Sequence, residues 1–205
     1  MTSTATATTT MGLRARKKAE LREAIEREGV RLFATHGFEG TTVDAIAEAC
    51  NVSATTDFRY FPTKEDIVFA SAARDGDKLV ALLAQQPADL KPAAALYRAL
   101  RALCDEYAGN KARVAKSQRM VENSIGLRAR KAESQQRWER SVVEELRRRC
   151  SSTHEPVDDV TLRLITATGL SSFRIAVEVW ATQRRGALED IVELACEHLA
   201  KGFDT

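Results

Sequence analysis

Proline and glycine are scarce in this chain, 4 and 10 among 205 residues. Few breakers beside abundant Ala, Leu, Glu and Arg favour helices over strands, and no alternating strand pattern or internal repeat is found. No run of about 18 apolar residues is present, so no membrane span is read. The Thr/Ala-rich start, Met1–Thr10, lacks the apolar stretch of a secretory signal, and residues 1–12 are expected to be a disordered tail. The cysteines Cys50, Cys104, Cys150 and Cys196 stand far apart, with no Cys-x-x-Cys or Cys/His pair at zinc-ligand spacing. They are expected to be buried or reduced thiols in a reducing cytoplasm. His36, His154 and His198 are spread out and suggest neither a metal nor a catalytic cluster. A bundle enzyme would need convergent ligands such as Glu-x-x-His; Glu197-His198 has the wrong spacing. No enzyme and no cofactor are therefore expected. Net charge is only +2, too little to argue for nucleic acid by itself.

Helical spacing is what the chain does have. Leu21, Ile25, Leu32 and Phe33 recur at helical intervals within Leu13–His36, and Gly37 is a natural stop. Thr41 or Thr42 can cap a short second helix whose apolar face is Val43, Ile46 and Ala47. Asn51 suits a left-handed turn residue, Val52 plugs the turn, and Ser53 can open a third short helix ending before Pro62. Thr63 caps the next helix, with Asp66 three residues on as a shortened capping box. That helix is expected to reach Leu83 with a kink at Gly76. Further helices are expected over residues 93–107, 111–123, 126–150, 157–183 and 186–201. The fold class is all-α: a three-helix head at residues 13–66 and a larger helical bundle at 67–205, about nine helices in all.

Two short helices joined by a tight turn form a helix-turn-helix, whose second helix enters the DNA major groove. Small or polar residues at its start, Ala54, Thr55 and Thr56, let the backbone approach base edges. Phe58, Arg59, Tyr60 and Lys64 follow as aromatic and basic groups toward phosphates. Here the chain resembles the TetR family of transcriptional regulators. The resemblance is carried by Ile25, Leu32, Phe33, Gly37, Phe38, Thr41, Thr42, Val43, Ile46, Ala47, Val52, Ser53, Arg59, Tyr60, Phe61, Pro62, Lys64, Glu65 and Asp66, and covers about a fifth of the chain.

That resemblance implies a DNA-binding set of Thr42, Ser53, Ala54, Thr55, Thr56, Phe58, Arg59, Tyr60 and Lys64. Thr42 would hold a phosphate at a helix start, Ala54, Thr55 and Thr56 would face bases, and Tyr60 and Lys64 would bind phosphates. Phe58 takes a position usually held by Tyr and lacks its hydroxyl. Glu28 and Gly29 replace a usual Ala pair, so the Glu28 carboxylate must reach solvent or a partner. Asp57 either accepts from cytosine N4 or is an exposed acid that weakens phosphate binding. Residues 1–70 carry nine Lys/Arg against ten Asp/Glu. DNA binding must then rest on local placement: Arg59, Lys64 and the run Arg14–Lys18, which is either an arm onto DNA or a solvated helix start.

Lys111–Arg149 carries twelve Lys/Arg against five Asp/Glu. This is either a wet helix face or a site for an anionic effector such as an acyl-coenzyme A thioester, with Arg119, Arg128 and Lys131 at its phosphates. Met120, Trp138, Phe173, Val177 and Trp180 are the candidate effector pocket, each equally readable as core. Broad apolar faces on the last two helices point to association, with Leu162, Ile165, Gly169, Phe173, Ile191, Leu194 and His198 as the expected dimer seam. The resulting expectation is a cytoplasmic, homodimeric repressor of a near-palindromic operator, released by a small-molecule effector. The alternative is a helical-bundle interaction protein that has lost DNA binding.

Overall fold

The computed structural model describes residues 12–53, 59–151, 157–182 and 186–201. Every regular element among them is a helix. The helices are α1 (Leu13–His36), α2 (Val43–Ala49), α3 (Lys64–Val68), α4 (Ala70–Ala84), α5 (Pro92–Ala108), α6 (Lys111–Glu122), α7 (Ile125–Ser151), α8 (Asp159–Thr182) and α9 (Leu188–Lys201). They fall into two compact units, Met1–Val68 and Phe69–Thr205.

The first unit closes on Ile25, Leu32, Phe33, Phe38, Ile46, Ala47, Phe61, Ile67 and Val68, all buried. α1 supplies the long apolar stripe and packs on both α2 and α3. Gly29 lies where these helices meet. A Cβ there would come within 2.7 Å of Ile67 Cγ2, so the glycine permits contact closer than alanine would. Its neighbour Glu28 accepts from Arg31 Nε at 2.7 Å, which gives the carboxylate a partner at the unit's surface. The Phe33 and Phe38 rings pack at 5.1 Å between centroids.

The second unit is a bundle whose core includes Leu79, Leu83, Leu96, Leu100, Leu103 and Leu146. α8 is its central wall, touching α5, α6, α7 and α9. The approach of α8 to α5 is tight, since a Cβ on Gly169 would lie 2.8 Å from Leu96 Cδ2.

Several boundaries differ from the sequence expectation by a few residues, and three of the differences have a visible local reason. The helix expected to run from Lys64 to Leu83 is interrupted at Phe69, which sits at φ −95° and ψ 6°. It continues without a break through Gly76, because that glycine serves packing: its missing Cβ leaves room for the Trp138 indole. α7 starts at Ile125, where Ser124 Oγ accepts from the Leu127 N–H at 3.4 Å. α8 starts at Asp159, after Asp158, whose carboxylate accepts from the Thr161 N–H at 2.9 Å.

Candidate nucleic-acid interface

The first unit builds its turn from backbone hydrogen bonds. Thr42 caps α2, its Oγ1 accepting from the Ala45 N–H at 3.1 Å. Just before it, Thr41 is buried and its hydroxyl donates to the Gly37 carbonyl at 2.7 Å, fixing the entry into α2. At the far end Asn51 has φ 54°, the left-handed value that lets the chain reverse. The Val52 N–H then reaches the Ala47 carbonyl at 3.0 Å and the Asn51 N–H the Glu48 carbonyl at 3.0 Å. This pair of bonds is a Schellman closure. It turns the chain sharply away from α2 and leaves Ser53 exposed at the start of the next segment.

Ala54, Thr55, Thr56, Asp57 and Phe58, the expected base-facing stretch, lie outside the described residues. After them Arg59 and Tyr60 are helical, Arg59 exposed and Tyr60 half-buried. The Arg59 guanidinium stands 5.8 Å from the Tyr60 ring centroid. Phe61 is buried and carries the Arg22 guanidinium over its ring at 4.8 Å, which pins this segment to α1. The basic run preceding it begins inside α1, with Arg16, Lys17 and Lys18 exposed; Arg16 faces Glu20 at 3.3 Å.

The loop into α3 is held by a reciprocal cap. Asp66 Oδ2 accepts from the Thr63 N–H at 3.1 Å and the Thr63 hydroxyl at 2.9 Å, while the Asp66 N–H reaches Thr63 Oγ1 at 3.2 Å. Lys64, expected to meet phosphate, is already engaged. Its Nζ donates to the Phe38 carbonyl at 2.9 Å and the Thr41 carbonyl at 3.4 Å, sits 4.3 Å from the Phe38 ring centroid, and lies 3.8 Å from Glu39. An ammonium has three donors, so Lys64 first ties the α1–α2 loop to α3. Sequence reasoning missed this role, because nothing local to residue 64 indicates carbonyls 26 residues upstream.

In the second unit the expected effector residues separate. Phe173, Val177 and Trp180 are buried in the main core, and half-buried Trp138 packs against it. Met120 is half-buried on α6. Tyr107 meets Phe173 edge-on at 5.7 Å, and its hydroxyl donates to Asp75 Oδ2 at 3.0 Å. Burial raises the pKa of Asp75, against the opposing pull of the Tyr107 bond and of Arg113 and Arg74. Burial also pushes the Cys104 thiol up to about 12, which keeps it protonated and unreactive. Sequence reasoning singled out neither Asp75 nor Tyr107, since 32 residues separate them.

Part of the basic segment is engaged within the chain. Lys131 pairs with Glu178 at 2.9 Å. Burial would raise Glu178, but the Lys131 and Arg174 charges outweigh it and hold that carboxyl below its usual value. Arg128 donates to the Glu122 carbonyl at 2.5 Å, closing the α6–α7 turn. Of the three cations expected to meet anionic phosphates, Arg119 alone is exposed with no polar partner among the described residues.

The residues expected at a dimer seam divide between the unit's own core and its surface. Leu162 and Phe173 face the unit's own core, and Gly169 abuts Leu96. Ile165 and Ile191 are half-buried against that core. Leu194 is exposed, and the His198 side chain lies outside the described ones. The face that α8 turns to solvent is instead Val160, Leu164, Ile175 and Val179, with Leu194 exposed on α9. The spacing of these residues, with Ala167, Thr168 and Ser171 exposed between them, marks one side of a helix. The helix is apolar on both sides, so composition alone left open which side the core would take.

Comparison with known proteins places these features. Residues 26–70 match the family model for bacterial regulatory proteins, tetR family. The transcriptional regulator TcmR of Streptomyces glaucescens is 38% identical over 92 residues, 45% of this chain and 41% of that protein. The regulator RutR of Escherichia coli K12 is 34% identical over 92 residues, 45% of this chain and 43% of its own. The matched stretch thus spans about two-fifths of these curated relatives. Among solved structures, Thermus thermophilus FadR, a TetR-family repressor in complex with lauroyl-CoA, superposes at TM-score 0.58 and 24% identity, covering 90% of this chain and 95% of that one. The fatty acid degradation regulator FadR of Bacillus halodurans gives 0.62 at 20% identity, with 90% and 96% covered. At such identities these two likenesses concern the fold alone. The N-terminal unit, which contains the capped α2 and its Schellman turn, thus matches the tetR family of bacterial regulatory proteins over residues 26–70, and there the chain is similar to transcriptional regulators.

Proposed function

We propose that this protein is a ligand-responsive repressor that binds a near-palindromic operator as a homodimer. The observation that carries the reading is the turn after α2, where left-handed Asn51 and two backbone bonds present Ser53 outward. Thr42 caps α2 from an exposed position, where a helix N-terminus favours a phosphate. Arg59 and Tyr60 follow the base-facing stretch and are suited to backbone phosphates. The apolar face of Val160, Leu164, Ile175, Val179 and Leu194 supports a symmetric partner. Two heads on one dimer would read half-sites about 34–36 Å apart.

The effector reading rests on the second unit. An acyl-coenzyme A ligand is supported by the lauroyl-CoA complex of the Thermus protein and by exposed Arg119 within a basic stretch. Such a ligand acts by preferring the head separation that does not fit DNA. Moving the equilibrium from mostly bound to mostly free needs about 5.5 kcal/mol of differential affinity.

The test is fluorescence anisotropy of a labelled duplex from the gene's own upstream region beside a scrambled duplex of equal length. Binding is expected to be tight, salt-dependent and selective for the first. Tyr60→Ala should weaken both duplexes alike, whereas Thr55→Val should change the ranking between them. Lauroyl-CoA should release the specific complex, and Arg119→Ala should blunt that release. A protein indifferent to every duplex would leave an interaction protein of the same fold as the surviving alternative.

A further inference from the structure

Lys64 holds both ends of one tight turn. Phe38–Thr41 form that turn, with the Thr41 N–H reaching the Phe38 carbonyl at 3.3 Å. Phe38 and Thr41 are both buried, and Gly37 before them has φ 78°. The turn has no room to spare, since a Cβ on Gly40 would lie 2.6 Å from the His36 carbonyl oxygen. Into it the Lys64 ammonium donates twice, to the Phe38 carbonyl at 2.9 Å and to the Thr41 carbonyl at 3.4 Å. These are the carbonyls of the first and last residues of the turn, so one cation bridges its two ends.

The surroundings of the ammonium limit what else it can do. The Lys64 side chain is 21% exposed. Its Nζ lies 4.3 Å from the Phe38 ring centroid and 3.8 Å from the Glu39 carboxylate. An ammonium has three donors, and two of them are engaged by carbonyls. Turning outward to a phosphate would free both carbonyls in a part-buried turn, which costs more than an average hydrogen bond returns. What the two bonds fix is the entry into α2. Thr42 follows Thr41 directly and caps α2, a helix of 7 residues. A helix this short has few contacts of its own to correct a misplaced entry. Any displacement at Thr42 is carried to the Schellman turn at its far end, and so to Ser53.

We infer that Lys64 is a positioning residue for sequence discrimination and not a phosphate ligand: by bridging the ends of the Phe38–Thr41 turn it sets the placement of α2 and of the turn that leads to the base-facing segment. This rests on the DNA-binding reading above. A side chain that binds backbone phosphate strengthens binding to every sequence and adds to counterion release. A positioning residue acts differently. It lets base contacts form in the correct geometry, so its loss is felt at the specific duplex and hardly at others, and the salt dependence is retained.

The experiment uses the full chain and its Lys64→Met variant. Binding to the upstream and scrambled duplexes is measured across a salt series and corrected for the folded fraction of each protein. Lys64→Met should lose about tenfold at the upstream duplex while staying within about twofold of the parent at the scrambled one. The slope of log affinity against log salt should remain parental at both duplexes. Equal losses at both, with a slope smaller by about one, would overturn the inference, because that is the behaviour of a phosphate ligand. Parental affinity at both duplexes would overturn it too, leaving Lys64 a role in stability alone. Should Lys64→Met fail to fold, Lys64→Gln, which keeps a polar head without the charge, is judged by the same ratio and the same slopes. Hydrogen exchange gives a second readout. The variant should speed exchange at the Thr41 amide more than at buried α1 amides such as Ile25, and parental exchange at Thr41 would refute the bridging role. Failure of the DNA reading is distinguishable, since the parent would then bind neither duplex while exchange at Thr41 still reports the bridge.

Discussion

The two units differ in how far their polar side chains reach. In the first, most of them act close by along the chain: Thr42 on Ala45, Thr63 on Asp66, Thr41 on Gly37. In the second, several reach across the bundle: Trp138 to Ala72, Arg149 to Leu83, Lys131 to Glu178 and Tyr107 to Asp75. The first unit thus fixes its turns through local capping geometry. The second fixes the relative placement of its helices through contacts that form only once the bundle is assembled. Under the proposed function, local rigidity would suit a surface that meets DNA in one geometry, and bonds between elements would suit a unit that answers to a ligand.

The largest expected effect tests what holds the second unit beneath those bonds. Leu100 is 1% exposed and faces Gly169 across the α5–α8 contact. Leu100→Ala should cost about 2–5 kcal/mol, measured by urea unfolding. A cost below that of a polar variant would mean that the cross-bundle bonds, not the core, dominate this unit.

A middle-sized effect tests the long-range bonds that Lys64 makes in the first unit. Lys64→Met keeps the stem over Phe38 but removes the ammonium from two carbonyls, and should cost about 1–3 kcal/mol. The local control Thr63→Ala should cost about 1 kcal/mol. If the two variants melt together, reach along the chain has no bearing on stability here and the contrast between the units dissolves.

The smallest effect is a pH dependence in the second unit. The folded-state pKa of Asp75 is raised, first by burial. Its protonation therefore favours the folded state: the associated stability is present below the unfolded value near 3.8 and is lost as pH rises through the raised folded value. Asp75→Asn still offers an oxygen to Tyr107 and carries no buried charge. It should melt at or above the parent at neutral pH, with the difference shrinking as acid protonates Asp75. A variant that melts lower at neutral pH, by the same amount at every pH, would show that the charged carboxylate stabilises the bundle.

The same contrast explains which features were legible in sequence. The caps at Thr42 and Thr63, the left-handed Asn51 and the plug at Val52 each depend on residues within five positions, so the pattern of types reveals the geometry. The roles of Gly76, Lys64 and Asp75 depend on neighbours 23 to 62 residues away. A glycine within a helical stretch suggested a kink because its partner, Trp138, stands on another helix. Lys131 and Arg128 looked available to a ligand because Glu178 and the Glu122 carbonyl, which hold them, were not visible as partners.

By itself the sequence determined an all-helical chain, the capped helix-turn-helix and its tetR resemblance, because helical period and capping chemistry are short-range properties of the chain. Tertiary structure alone decided which side of α8 faces solvent, which cations are already paired, and that α7 grips α4 at two points. Those outcomes depend on which apolar faces meet first when helices of similar composition pack, and packing partners far apart in sequence leave no periodic trace in it.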